Sequence, residues 1–473
     1  MAIPQQTGQQ LHAAYTQLAA YRRGELTPQM QAKLDALFER TAMATQELGA
    51  RDLPAEKFID VVSAYSRDSR FFHALGHLFE MTEQDTLEYR KLGDAFHNKL
   101  TPRELLRLQQ INHLAGFYHD MEYVTVDGSM HISNQDLLAT CVTEKDGVYT
   151  INSNVPPVAR LVNAVFGFKE GDALNPFGGA NEYLSALAAA LNLQQIGVLD
   201  RDILGVVASI EATVPFRGEN RMNELRARML EAAADAGITG GWRDREIDML
   251  VANAVLLANR DISSLLGGLT QAGEPVTAWH LQNMSISNEN MQLEEVPALR
   301  VDKPGAYPPI ELMKGILKRA CLFSSMLAPD GTVYKCFHGV ELPSQESEYP
   351  PEDEVKLKNT LVAKTASASG IMYKARLAAA ALVTALAKEK GVDEKSMAQL
   401  LHARDTHQET LLAPSIEARS DSERIVYEVL GHNRDVAQND TPKSYIAAYL
   451  LAKLGEKGID AMLGVVLSNS CVS

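Results

Sequence analysis

The chain has 473 residues, 46% of them hydrophobic and 22% charged, with a formal net charge of −15 at pH 7. This is too long for one minimal core, and the balance is that of a globular soluble protein, which excludes disordered and fibrous classes. The acidic excess argues against nonspecific wrapping of a nucleic-acid polymer, yet it is compatible with a local pocket for one small phosphorylated ligand.

The four cysteines, Cys141, Cys321, Cys336 and Cys471, are widely spaced and form neither a disulfide framework nor a CxxC pair, so a reducing compartment is expected. The N-terminus has no basic stretch followed by an apolar one. The longest strongly apolar run, Leu377 to Ala387, lies between Arg376 and Lys388. As a helix it would rise only ~16 Å, about half a hydrocarbon core, so it reads as a buried helix. A cytoplasmic protein without membrane association is the expectation. Cys471 is third from the end, which does not match a prenylation box.

Apolar residues recur at spacings of three and four almost throughout, and β-branched alternation is rare, so the pattern predicts an all-α fold with few or no strands. Gln9 to Leu48 reads as one or two amphipathic helices broken near Glu25 to Pro28, where Thr27 can cap and Pro28 occupies the first turn. Helical blocks follow at 58–81 and 104–122, the second opened by Thr101, Pro102 and Glu104. Between Tyr123 and Gly179 turn chemistry dominates, at Asp127-Gly128, Asp146-Gly147, Asn154 to Pro157 and Asn175 to Gly179. Helices resume at 181–193, 203–212, 222–237 and 245–269, the last apolar on nearly every side and hence a core element. After a Pro- and Asn-bearing stretch, helical segments are predicted at 311–327, 360–390, 395–404, 421–431 and 442–468. Ser420 and Glu423 form a capping box, and Thr441-Pro442 a cap with proline in the first turn. The expected organisation is an N-terminal helical segment 1–52, a core domain 53–270 and a helical C-terminal region 271–473.

Several residues on these elements can carry chemistry. His73-Ala-Leu-Gly-His77 puts two imidazoles at i and i+4, which is one face of a helix, or else two independently satisfied histidines. His119-Asp120 ends the apolar run Leu114 to Tyr118; a buried carboxylate there is costly unless a cation or a simple His–Asp hydrogen bond compensates it. Asn259-Arg260-Asp261 interrupts the most apolar helix, either as a functional carboxylate or as an Arg260–Asp261 pair. Glu182 falls in the first turn of its helix, where an acid is favourable in any case. Arg217, after the Thr213-Val-Pro break, offers a fork of donors that matches a phosphate, or is a solvated loop residue. Cys336-Phe-His338 has too few neighbouring ligands for zinc. His97, His113 and His131 could serve a second metal, although their spacing does not argue for it.

Taken together, Arg70-Phe-Phe-His73-Ala-Leu-Gly-His77, Phe117-Tyr-His119-Asp120-Met-Glu-Tyr123, Asn181-Glu182-Tyr-Leu-Ser185-Ala186 and Ala258-Asn-Arg-Asp261 resemble, in order, the motifs of the HD superfamily of metal-dependent phosphohydrolases, more narrowly its cyclic-nucleotide phosphodiesterase-like branch. The resemblance covers roughly residues 53–270. It departs from the pattern in a longer stretch between the HD and Asn-Glu motifs, and it does not extend past 271. It implies an HD-type helical core in which His77, His119, Asp120 and Asp261 hold one or two divalent metal ions, Mn, Fe, Zn or Mg. His73 would be a general acid, and Glu182 would orient a ligand or the attacking water. The implied activity is hydrolysis of a phosphoester, of a cyclic or other small nucleotide, by a metal-activated water. The alternatives are a helical interaction or ligand-sensing protein that keeps the fold without turnover and, ranked below both, a metal-dependent oxygenase. The sequence leaves the oligomeric state open.

Overall fold

The computed structural model describes residues 5–18, 20, 24–83, 85–175, 178–215, 221–238, 243–268, 273–295, 310–327, 333–339, 349–393, 420–431 and 444–469. The fold is all-α, and the sole sheet among the described residues is a two-stranded hairpin. Two compact units divide the chain, Met1–Ile262 with Thr332–Val355, and Ser263–Gly331 with Lys356–Ser473. The N-terminal helices therefore belong to the same unit as the motifs, and a piece of the C-terminal region returns to it.

The first unit opens with α1 (Gln5–Tyr15), α2 (Pro28–Glu47), α3 (Ala55–Tyr65), α4 (Leu75–Thr82), α5 (Thr86–Ala95) and α6 (Pro102–Tyr118). Thr27 Oγ1 accepts from Met30 N at 3.2 Å with Pro28 in the first turn, so α2 begins where the sequence predicts. At the head of α6, Thr101 and Glu104 complete a reciprocal capping box. The helical block expected at 58–81 is instead two helices, α3 and α4, with a turn between them.

The turn-rich stretch is more ordered than its composition suggests. It holds α7 (Val124–Asp127), α8 (Ile132–Leu138), the antiparallel strands β1 (Val142–Lys145) and β2 (Val148–Ile151), and α9 (Pro157–Phe166). Asp146 and Gly147, at φ 55° and 78°, supply the two positive φ angles of the tight turn that joins β1 to β2. Then come α10 (Ala180–Ile196), α11 (Asp200–Thr213), α12 (Arg221–Asp235) and α13 (Arg243–Ser264).

Helix α6 is the hub, packed against α2, α4, α10 and α11, and its residues from Gln110 to Tyr118 are all buried. Two contacts set its neighbours' registers, and an ion-pair bridge joins them at the outer end. Gly205 of α11 lies so close to α6 and α13 that an added β-carbon would meet Leu250 at 2.8 Å and Ile111 at 3.1 Å. Asn112 Nδ2 donates to Asn253 O and Oδ1 at 2.8 and 3.0 Å, Asn253 Nδ2 to Leu108 O at 3.0 Å, and Ser209 Oγ to Asn112 Oδ1 at 2.9 Å. At the outer end Arg107 bridges Asp202 of α11 and Glu246 of α13. The buried Asn112, Asn253 and Ser209 side chains all find partners in this register, so a sliding α13 would strand them at a cost of roughly 1–3 kcal/mol apiece.

The second unit contains α14 (Ala278–Glu295), α15 (Ile310–Leu327), α16 (Glu352–Lys390), α17 (Asp421–Gly431) and α18 (Tyr445–Asn469) around its own core, which includes Leu281, Leu317, Met372, Val426 and Leu451. Glu423 N donates to Ser420 Oγ at 3.1 Å, the expected cap of α17. The segment expected at 395–404 and the Thr441-Pro442 cap lie outside the described residues. By length and composition α16 is apolar enough to cross a membrane, and 61% of its apolar window is buried inside the protein.

Candidate metal centre

Two helices of the first unit deliver His77, His119 and Asp120 to one point, and a third brings Asp261 to the His77 side of it. His77 sits in the first turn of α4, His119 and Asp120 at the C-terminal end of α6, and Asp261 in the penultimate stretch of α13. Asp261 lies eight residues beyond Asn253, about 12 Å along the helix, so the Asn112–Asn253 seam that fixes α13 also fixes where Asp261 arrives. His77 Nε2 is 3.0 Å from His119 Nε2, 3.4 Å from Asp120 Oδ2 and 3.3 Å from Asp261 Oδ1; His119 Nε2 is 2.8 Å from Asp120 Oδ2. The ligand atoms of His77, His119 and Asp120 all lie within 4.8 Å of one another, and all three residues are buried.

These spacings suit a cation. For ligand bonds of about 2.1 Å, neighbouring donors lie about 3.0 Å apart around an octahedral ion and about 3.4 Å apart around a tetrahedral one. The donor set of two imidazoles and two carboxylates fits a borderline divalent ion and leaves positions open. Electrostatics agree that the centre favours positive charge. Burial opposes protonation of His77, but hydrogen bonds to Asp120 and Asp261 and their charges outweigh it and push its pKa up to about 10. Burial would raise the Asp120 pKa, yet the charges of His119 and His73 and hydrogen bonds from His119 and His77 hold it well below the carboxylate range.

The surrounding residues orient the ligands. His119 Nδ1 lies 2.8 Å from Gly116 O, and a carbonyl only accepts, so Nδ1 carries a proton, and a cation bound at the cluster would take the Nε2 lone pair in place of the Nε2 proton shared with Asp120. Tyr65 Oη, 3.2 Å from the same Nδ1, accepts from Asp120 N at 3.1 Å. Arg70 is buried and donates to Asp120 O at 2.6 Å, Met121 O at 3.1 Å and Asp127 Oδ2 at 2.8 Å, clamping the backbone just past the HD pair. Buried His77 Nδ1 has no hydrogen-bond partner among the described residues, and its ring packs on Phe72 at 5.1 Å.

His73 departs from the expected geometry. It belongs to the turn before α4, not to the helix face that carries His77, because α4 starts only at Leu75. Its half-buried ring nevertheless stands 5.7 Å from the His77 ring and at right angles to it, with the Tyr123 ring 4.3 Å away at a 37° tilt. Glu182 is half-buried in the first turn of α10. That helix is docked beside the HD pair by Ser185, which accepts from Glu122 N at 2.9 Å, and by Asn181, which donates to Thr125 at 3.1 Å. Arg217 lies outside the described residues.

The Asn259-Arg260-Asp261 triplet is used in full. Asn259 pairs in both directions with the backbone of Lys335 at 2.8 Å, which fastens the returning segment; Arg260 donates to carbonyls at the end of α4; Asp261 joins the cluster. The other histidines have separate employment. His113 meets Thr41 Oγ1 at 2.9 Å and Thr82 O at 3.3 Å, His131 meets Ser63 and Ser133 at 2.9 and 2.7 Å, and His97 is exposed. Cys336 and His338 stand 3.9 Å apart, Sγ to Nε2.

Reading the sequence missed Tyr65, Glu122 and the Asn112–Asn253 seam. Tyr65 sits on α3, outside every motif, and its role exists only once α3 meets α6. Glu122 sits within one, but its carboxyl is buried against Asn134 Nδ2 at 2.6 Å and His131 N at 2.8 Å, partners set by the turn-rich stretch. Burial drives its pKa up to about 7. No protein-family model, curated protein or solved structure matches this chain.

Proposed function

We propose that the first unit is an HD-type, metal-dependent phosphohydrolase acting on a small phosphorylated substrate, with a cyclic or other small nucleotide as the leading class. The observation that carries the reading is the convergence of His77, His119 and Asp120 at donor spacings of 2.8 to 3.4 Å, with Asp261 of a third helix 3.3 Å from His77. A divalent ion held there, Mn, Fe, Zn or Mg, would offset charge developing on a phosphoryl oxygen and acidify a water. The chain's own residues supply the rest. His73, half-buried beside His77, would give a proton to the leaving oxygen. Glu182 orients a ligand or the attacking water from the head of α10. Arg217 is the candidate donor for a substrate phosphate. The net charge of −15 favours a small substrate over a nucleic-acid polymer, since local positive charge must come from the ion and a few side chains.

The test is a panel of phosphomonoesters, phosphodiesters and cyclic nucleotides assayed with metal-loaded protein beside His73→Ala. Turnover that falls in the variant supports the reading. Metal bound without turnover of any substrate would favour the ligand-sensing alternative.

A further inference from the structure

Asp261 is the member of the cluster furthest away in sequence and the most exposed, with its side chain 22% accessible, so its position depends on how α13 lies against α4. The residue before it controls that contact. Arg260 donates through one terminal nitrogen to Glu83 O and, at 3.4 Å, to Met81 O. These carbonyls close the C-terminal end of α4. A helix leaves its last carbonyls without intrahelical donors, and α4 has no left-handed glycine to satisfy them, since its cap Glu83 is extended at φ −69° and ψ 140°.

Successive residues on a helix diverge by about 100°, so Arg260 and Asp261 address two different points on α4. Met81 follows His77 by four residues, about 6 Å along the axis. Contact at both points fixes the slide and the rotation of α13 relative to α4 at once. On the other side of the same Met81 carbonyl, Gly116 of α6 approaches so closely that a β-carbon would lie 2.5 Å from the oxygen. All three ligand-bearing helices thus meet at one backbone oxygen.

We propose that Arg260 is a positioning residue of the candidate metal centre, a latch between α13 and the end of α4 that holds Asp261 within ligand distance of His77 and so sets divalent-ion affinity. This rests on the metal-centre reading above. Arg260→Met keeps the aliphatic stem and removes the donors, whereas Arg260→Lys keeps the charge and one donor group. Manganese binding to the metal-free full-length chain is measured by titration calorimetry.

The expected result is affinity at least about tenfold weaker in Arg260→Met, with partial recovery in Arg260→Lys. Arg107→Met separates latching from general loosening. It removes a half-buried guanidinium that joins α6, α11 and α13 at the opposite end of α13, and should lower the melting temperature without weakening manganese binding. Unchanged affinity in Arg260→Met, or an equal loss in Arg107→Met, overturns the positioning role while leaving the metal centre standing. A wild-type chain that binds neither manganese nor zinc overturns the metal centre, and the latch with it.

Discussion

The α-carbon of Gly116 packs directly on the carbonyl of Met81, with no room for a side chain between α6 and α4. Gly116 precedes His119 by three residues and Met81 follows His77 by four, so this backbone contact sets the separation of the two imidazoles. Gly116→Ala should force the helices apart and cost roughly 1–3 kcal/mol of stability. Urea unfolding measures the loss, and metal titration of the folded variant should show weakened binding. Native affinity in Gly116→Ala would mean that the contact does not set the site.

His119→Ala and Asp120→Ala should each abolish metal binding and phosphoester hydrolysis. His73→Ala should retain the metal and lower turnover, because His73 lies in the turn ahead of α4 and packs against Tyr123 while His77 faces the cluster. Elemental analysis and kinetics on the same preparations separate the two roles. Loss of metal from the His73 variant would make it a ligand.

Arg70, buried beside the site, engages two backbone carbonyls and Asp127 at once. Arg70→Met should destabilise the fold by a few kcal/mol, toward the ~3–5 kcal/mol of a broken buried pair, with Arg67 and Ser69 still on Asp127 to limit the damage. Arg70→Lys should recover only part, because an ammonium cannot reproduce the planar fork. Chemical denaturation of the three proteins decides it, and a lysine variant as stable as wild type would contradict the account.

Acid should destabilise the first unit between about pH 6.5 and pH 4. His113 and His131 are both held neutral, with pKa values lowered to about 4, chiefly by burial and secondarily by the charge of Arg40 on His113 and of Arg67 on His131. The unfolded chain binds protons there from about pH 6.5 downward, so stability is complete above that pH and is lost as pH falls through the folded values. Each histidine contributes on the order of 3 kcal/mol for a shift of this size. Replacing His113 by Gln should flatten the melting-temperature profile across this window. A profile as steep as wild type would show that other groups drive the acid response.

The helical character and the HD pair were legible because both are local. Period-3.6 spacing marks α6 and α13, and Thr27, Thr101 and Ser420 announce helix starts through side chains that act on the next turn. His73 was misplaced for the opposite reason. Nothing local says that α4 starts at Leu75, since the 66–74 turn is held by Arg70 reaching across to Asp120 and Asp127, fifty and 57 residues away. The β1–β2 hairpin hid in a stretch read as turns, although Asp146-Gly147 is a hairpin signal. Asn259 and Arg260 looked out of place on an apolar helix because their partners, Lys335 and the end of α4, are supplied only by the folded chain.

The most direct test is the metal content of gently purified chain beside Asp261→Ala, each determined by elemental analysis after equilibration with limiting manganese, iron and zinc. The account predicts one or two divalent ions per wild-type chain and a clear loss in the variant, since Asp261 comes from a different helix yet lies 3.3 Å from His77 Nε2. A wild-type chain without bound metal, or a variant that binds it equally well, would contradict the claim that these four side chains form a metal centre.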